Sequence, residues 1–360
     1  MSGSPACRTI RPLLAIFMAA AAGIAAPGKL LADDNFYDRK QVRFIIAHAA
    51  GSPYDNFARL VLRHMGRHIP GNPSFVPQNM LGAVGMTAMN TLFNGVPQDG
   101  SVIGQAGKSV ILEPLYGNEL AKFDPLKFNW IGSGQSDVSL CFTRLDSDVK
   151  TVEDARRRTV MVGATGPTGD SSFVSHLVNR LLGTKLKPVL GYPDTPTVAL
   201  AMERRELDGG CGYTSSTLRA SRPDWFEQNK LNIFLQATMD RSRAFPSVPA
   251  LGEFVTNAEE REALKIAVST DPLVRTFVAP PGVPEQRVRI LRTAFMATMR
   301  DPAFLEDARL GQFEIDAIDG AEVEKILQRI YAGPRSAIDL ILAVRATAAA
   351  SGSEKANQKP

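Results

Sequence analysis

Apolar and polar positions follow two rhythms along this 360-residue chain. The runs VRFIIA (42–47), SFVPQN (74–79) and SVIGQA (101–106) carry strand signals. From Asp55 onward Phe57, Leu60, Val61 and Met65 recur at the spacing of one helix face, and residues 82–95 read as a loop entering a second helix. The order is βαβαβ, which specifies an open, largely parallel sheet. The rhythm then restarts. VSLCFTR (138–144), TVMVGA (159–164), LKPVLGY (186–192), ELDGGCGY (206–213) and LNIFLQAT (231–238) read as strands. Helices are expected over 151–158, where Thr151 caps, after the loop TGPTGDSS, and over 195–205. The Gly-rich WIGSGQSD (130–137) lies between the two units and reads as a crossover. A Pro-rich segment, RAFPSVPALGEF, precedes helices expected over 257–268, 284–300, 302–310 and 320–347. The polar tail from 351 to 360 is expected to be unstructured.

The first 32 residues stand apart. Arg8 and Arg11 precede an apolar run from Leu13 to Ala26, and small residues follow before Asp33 and Asp34. This is the layout of a secretory signal, so the remainder is expected to be periplasmic. Cys7 lies ahead of the apolar run and is no lipid-attachment cysteine. The segment holds three of the 41 basic residues (Arg8, Arg11, Lys29) and none of the 37 acids. Without it the chain is close to neutral, which removes the case for nucleic acid. Two cysteines remain, Cys141 and Cys211. In an oxidising compartment they can pair, or they can sit as buried thiols in separate strands; both readings stand. About 330 residues exceed one core, and two domains are expected.

Both units place a Gly/Ser/Thr loop between a buried strand and a helix. In an open α/β sheet such loops share the carboxyl edge, where ligands bind. Helix N-termini there offer unpaired N–H groups to an anion. Catalytic patterns are missing: no G-x-S-x-G elbow, no phosphate-loop lysine after GATGPTGD, no H-E-x-x-H and no C-x-x-C. His64 and His68 lie four apart on a predicted helix with no acid beside them in sequence, and read as an exposed face. His48 ends a strand and reads as structural. No cofactor and no metal site is expected. In AAGSPYDNFAR (49–59), Ser52 caps, Pro53 suits the first helical position and Asp55 holds the capping-box place. Whether Ser52 and Asp55 also touch a ligand is left open by the spacing, and Tyr54 either lines a pocket or covers the helix end.

Taken together, AAGSPYDNFARLV, PQNMLGAVGMTAMNTL, GVPQDGSVIG, GATGPTGDSSF, GYPDTPTVALAMERRELDGG, FPSVPALGEF and APPGVPEQRVRILRTAF resemble the ordered motifs of the Bug family. These are the extracytoplasmic receptors of tripartite tricarboxylate transporters. The resemblance covers about residues 40–330. It implies a type II periplasmic-binding-protein fold, two α/β domains closing on a small organic carboxylate. Domain 1 would comprise 33–137 and 239–350, and domain 2 would comprise 138–238. The first loop of the site would be Gly51, Ser52, Tyr54 and Asp55, and the second Gly82, Ala83, Val84 and Gly85. Ser109 would follow the third strand. Thr165, Thr168, Gly169, Asp170 and Ser171 would face them with Tyr192 and Asp194. The chain would act as a monomeric receptor, not an enzyme, delivering its ligand to large and small membrane subunits. An enzyme on the same fold and a sensor partner are the alternatives. Asp170 and Asp194 depart from a purely cationic site: they would repel a dianion unless Arg144 or Lys108 compensates.

Overall fold

Two sheets, one of six strands and one of five, carry the chain. The structure is a computed structural model that describes Met1, Gly3 and residues 35–167 and 169–356. The expected signal over 1–32, Thr168, the Val84 side chain and residues 357–360 lie outside the described residues.

The chain enters through β1 (Gln41–Ile46), α1 (Pro53–Met65), β2 (Ser74–Asn79), α2 (Met86–Asn94), β3 (Val102–Ala106) and β4 (Asn129–Ser133). It then builds β5 (Ser139–Arg144), α3 (Val152–Arg157), β6 (Val160–Ala164), α4 (Asp170–Leu182), β7 (Leu186–Leu190) and α5 (Thr195–Glu203). Next come β8 (Gly209–Thr214), α6 (Ser215–Ser221), α7 (Pro223–Glu227) and β9 (Leu231–Gln236). It returns through α8 (Ala258–Val268), β10 (Thr276–Ala279), α9 (Glu285–Thr298), α10 (Pro302–Leu310), β11 (Ile318–Asp319), α11 (Gly320–Tyr331) and α12 (Arg335–Ala356).

The six-stranded sheet runs β11-β4-β10-β3-β1-β2 and the five-stranded sheet β7-β6-β8-β5-β9. Each contains the expected parallel trio, β2-β1-β3 and β7-β6-β8. Neither is otherwise parallel: β10 lies antiparallel between β3 and β4, and β5 lies antiparallel between β8 and β9. These inserted strands belong to segments that pass from one sheet to the other. The backbones of the two crossing segments bond directly, Gly134 N to Arg275 O at 3.1 Å and Asp137 N to Asp271 O at 3.1 Å. Gly134 must be glycine, because a Cβ there would lie 2.4 Å from the Phe57 ring.

Several sequence expectations change here. Residues 130–137 were expected to be a crossover, yet their first half is β4, buried beside β10. A helix over 320–347 divides into α11 and α12 at Gly333-Pro334, since proline cannot continue the hydrogen-bond ladder. The segment expected to be unstructured from 351 is helical as far as Ala356. His64 and His68 are not an exposed face: their Nε2 atoms lie 2.8 Å from Asp307 and Asp301, carboxylates supplied by α10 and its cap. Those acids stand more than 230 positions away, so local spacing could not show them.

The apolar faces close four clusters. α1, α9 and α10 cover one face of the six-stranded sheet around Phe44, Phe57, Phe277 and Phe295, and α2 and α11 cover the other around Met89, Leu92 and Leu327. α3 and α4 pack one face of the five-stranded sheet, and α5 with α6 packs its opposite face. α12 serves both sheets: Ala337, Ile338 and Ile341 join the first core while Val344 joins that of α4.

Cys141 and Cys211 face each other in the β5–β8 register and are joined by a disulfide across 70 positions. Two cysteines held in register this way close a long loop, which limits the unfolded chain. Reduction should therefore lower the unfolding free energy by about 4 kcal/mol. Urea titration of oxidised and reduced protein measures this, and two free thiols in the native protein would contradict it.

Candidate functional site

Ser52 caps α1 from an extended backbone, its Oγ accepting from Asp55 N at 3.3 Å. The Asp55 carboxylate turns back and accepts from Gly51 N at 2.8 Å, from Arg59 Nε at 2.9 Å and from Asn79 Nδ2 at 2.8 Å. Asn79 Nδ2 also donates to His48 O, so β2, the end of β1 and the α1 N-terminus are tied through one carboxylate. Burial alone would raise the Asp55 pKa, but the bonds from Arg59, Gly51 and Asn79 bring it below the ordinary value. Asp55 is thus spent on holding the loop.

Tyr54 projects from the same turn into a stack. The His48 ring lies parallel to it with centroids 3.8 Å apart, and the Arg275 guanidinium sits 3.9 Å from the ring centre. Arg275 donates through Nε to Gln135 Oε1 at 3.0 Å, while its buried Nη1 has no partner. Burial, reinforced by the Arg275 charge, depresses the His48 pKa to about 4. His48 is therefore a neutral plate at physiological pH. That agrees with a structural reading and gives no support to a charged acid.

Lys108 leaves the end of β3 and reaches across to the other sheet. Its Nζ lies 3.4 Å from Asp170 Oδ2, on the first residue of α4, and 3.7 Å from Asp271 Oδ1, on a crossing segment. Burial works against the ammonium, but Asp170 and Asp271 hold its pKa above the ordinary lysine value. A third carboxylate, Asp137, adds to this field and is itself fixed by Val138 N at 2.8 Å, Ser215 Oγ at 2.8 Å and Ser216. Asp271, deep in the cluster, has its pKa raised to about 7 by burial despite the nearby Lys108. Lys108, Ser109, Asp170, Thr270 and Asp271 line a cavity of about 50 Å³ closed by Phe173 and Tyr116.

Two helix N-termini open toward this region without a side-chain cap. α2 starts from Gly85 and α4 from Gly169, and neither has a capping hydrogen bond. A Cβ at Gly85 would meet Ala47 at 3.4 Å and Val110 at 3.9 Å, and Val110 stands two residues from Lys108. The preceding loop bends through Gly82 at φ 134° and Ala83 at φ 44°, a left-handed turn that an alanine adopts only under strain.

The other expected residues have local tasks. Asp194 caps α5, its Oδ1 accepting from Thr197 N at 2.9 Å and from Thr197 Oγ1 at 2.6 Å. Ser171 Oγ accepts from Thr165 N at 3.3 Å inside the loop. Tyr192 packs half-buried against the α5 cluster. Arg144 does not compensate the acids of the cleft: it lies at the far end of β5, bonded to Asp146 and to Leu207 O. Lys108 alone of the two reaches the cluster. Asp137, Asp271, Gln135 and Arg275 were not singled out in the sequence, because they stand on the crossing segments and carry no motif.

Comparison with known proteins places this geometry. No family model matches the chain. A curated UPF0065 protein of Cupriavidus necator is 27% identical over 305 residues, covering 82% of this chain and 85% of that protein. In sequence the chain is similar to the UPF0065 (Bug) proteins. A TctC solute binding protein from Polaromonas superposes with a TM-score of 0.66 at 16% identity, covering 86% of this chain and 99% of that one. The periplasmic binding protein BugD gives 0.57 at 18% identity, covering 87% and 98%. MatC from Rhodopseudomonas palustris, solved with bound malate, gives 0.55 at 20% identity, covering 85% and 99%. The Bug/TctC-like chain thus has the two-domain α/β architecture of periplasmic binding proteins.

His48 and Asp271 give this Bug/TctC-like protein opposed acid responses. Between pH 6.5 and about 4 unfolding lets His48 take up a proton, so stability falls as pH falls. Between pH 7 and 3.8 folded Asp271 holds a proton that the unfolded chain releases, so its contribution grows as pH falls. In the overlap the two slopes cancel. Asp271→Asn should expose a loss of up to about 1.4 kcal/mol per pH unit on acidification, and His48→Gln the opposite slope. Urea midpoints from pH 4 to 7 test this; parallel profiles for both variants would contradict it.

Proposed function

We propose that this protein is a periplasmic solute-binding receptor. It captures a small organic carboxylate between its two sheets and delivers it to the large and small membrane subunits of a tripartite tricarboxylate-type transporter. The observation that carries the reading is the meeting of loops from both carboxyl edges at Lys108 and Asp170, beside the uncapped starts of α2 and α4. Unpaired backbone N–H groups with partial positive charge suit a carboxylate. In this reading Gly82, Ala83 and Gly85 form one wall with Ser109. Thr165, Gly169 and Asp170 form the other, and Gly51, Ser52 and Tyr54 hold the first wall in place. The malate held by the similarly folded MatC agrees with such a ligand.

Turnover has less support. His48 is stacked and neutral, and no nucleophile is paired with it among the described hydrogen bonds. Among the described residues no helix is long and apolar enough to cross a membrane, which fits a receptor that needs a separate permease.

Binding to the folded state alone stabilises it, by about 2.7 kcal/mol at a hundredfold excess over Kd. At least one carboxylate in a panel of mono-, di- and tricarboxylates should therefore raise Tm by several degrees. Mass spectrometry of ligand released from undenatured protein should recover the same compound unchanged. A flat panel removes the receptor reading, and conversion of the bound compound would favour the enzyme.

A further inference from the structure

The charge balance inside the cleft bears on the class of solute, and this step rests on the receptor reading above. Three carboxylates, Asp137, Asp170 and Asp271, surround a single ammonium, Lys108. Asp137 is satisfied by Val138, Ser215 and Ser216. Asp170 and Asp271 are not comparably engaged. Lys108 approaches them at 3.4 and 3.7 Å, well beyond the roughly 2.7–2.9 Å of a charge-assisted bond. The Asp170 side chain remains 44% exposed, and the residue lines the cavity.

An incoming second carboxylate at this end would meet carboxylates whose one neutralising partner is already shared. Its desolvation would gain nothing in return. An ammonium would instead complete the open oxygens of Asp170, relieve Lys108, and favour the ionised form of Asp271, which burial otherwise holds partly protonated. The opposite sign is available elsewhere in the same cluster. Arg275 is 4% exposed, its Nη1 lacks a partner, and its charge acts on Asp137 and Tyr54. No side chain caps α2 or α4, although Gly85 N and Met86 N at the α2 start are bonded within the preceding turn. The cleft thus has unfilled donors and unfilled acceptors, the pattern expected where a dipolar ligand belongs.

We infer that the solute is a zwitterion, an amino-carboxylate whose ammonium is received by Asp170 and Asp271 in competition with Lys108. Asp170 is then the specificity-determining residue, and Lys108 is an internal cation holding the same seat. Dicarboxylates are the compounds this arrangement disfavours.

Calorimetric titration of the folded chain with pairs matched in length tests the inference: 4-aminobutanoate against succinate, 6-aminohexanoate against adipate, and 2-amino acids against the corresponding unsubstituted acids. The tighter amino-carboxylate should bind at least tenfold more strongly than its partner. Asp170→Asn should lower that affinity at least tenfold, with the circular dichroism spectrum unchanged. Lys108→Met should raise it by removing the competitor. A dicarboxylate or plain acid bound as tightly as its amino counterpart overturns the inference and leaves the receptor reading intact. Indifference of the amino-carboxylate to both substitutions also overturns it. Failure of every carboxylate, amino-substituted or not, removes the receptor reading and this inference together.

Discussion

A buried ammonium is costly unless anions surround it, and the position of Lys108 makes that cost a constraint on the whole molecule. Its partners come from separate places: Asp170 from the α4 start in the five-stranded sheet, Asp271 from a crossing segment, and Asp137 from the other. The loop after β3, the first turn of α4 and both crossings must therefore arrive together. The direct bonds between crossings, Gly134 to Arg275 and Asp137 to Asp271, fix the acids on one side. Cores shared through α12 bring the sheets into range on the other. Neither sheet could be moved alone without stranding a charge.

Around that cluster the polar groups divide by how fully they are used. Asp55 has a partner for each oxygen and ties the α1 loop to β2. Tyr54, held by that loop, separates neutral His48 from charged Arg275. The stack keeps a cation close to the cleft while paying part of its burial through the ring face. The unsatisfied atoms collect nearby, including both side-chain polar atoms of Gln105 and the Arg275 Nη1.

What the sequence showed and what it hid follow from the range of each interaction. Eight strands, the two trios with β5 and β9, announced themselves through runs of apolar residues, and Ser52 and Thr151 marked helix starts by chemistry confined to four positions. The loops between these strands and helices were legible for the same reason. β4 was hidden because Gly132 and Ser133 break its apolar run, although a Cβ at Gly132 would strike Phe295 at 2.6 Å. β10, four fully buried residues, is too short for any period to show. Losing β10 meant losing Arg275 and the nearby Asp271, and Asp137, though inside the expected crossover, gave no local sign of its partners. Their importance comes from pairing across sequence distances of more than a hundred residues, which no local pattern encodes.

Capping chemistry distinguishes the walls of the cleft from the rest of the fold. α1, α3, α5, α8, α10 and α11 start from Ser52, Thr151, Asp194, Asn257, Asp301 and Asp319, each with its side chain accepting from the first turn. α6 lacks such a residue but borrows Asp137, which accepts from Ser216 N at 3.2 Å. α7 starts from Arg222 and α9 from Pro284, both also without a side-chain cap. α2 and α4 are the ones that begin from glycine, and they flank the Lys108–Asp170 contact. A serine or aspartate in place of Gly169 would contribute only about 0.3 kcal/mol to its helix, since glycine is itself a tolerable cap. It would also occupy the amides that an anion needs. At Gly85 the backbone itself requires glycine, at φ 92°, whereas Gly169 holds an ordinary extended cap geometry that a serine or aspartate could also adopt.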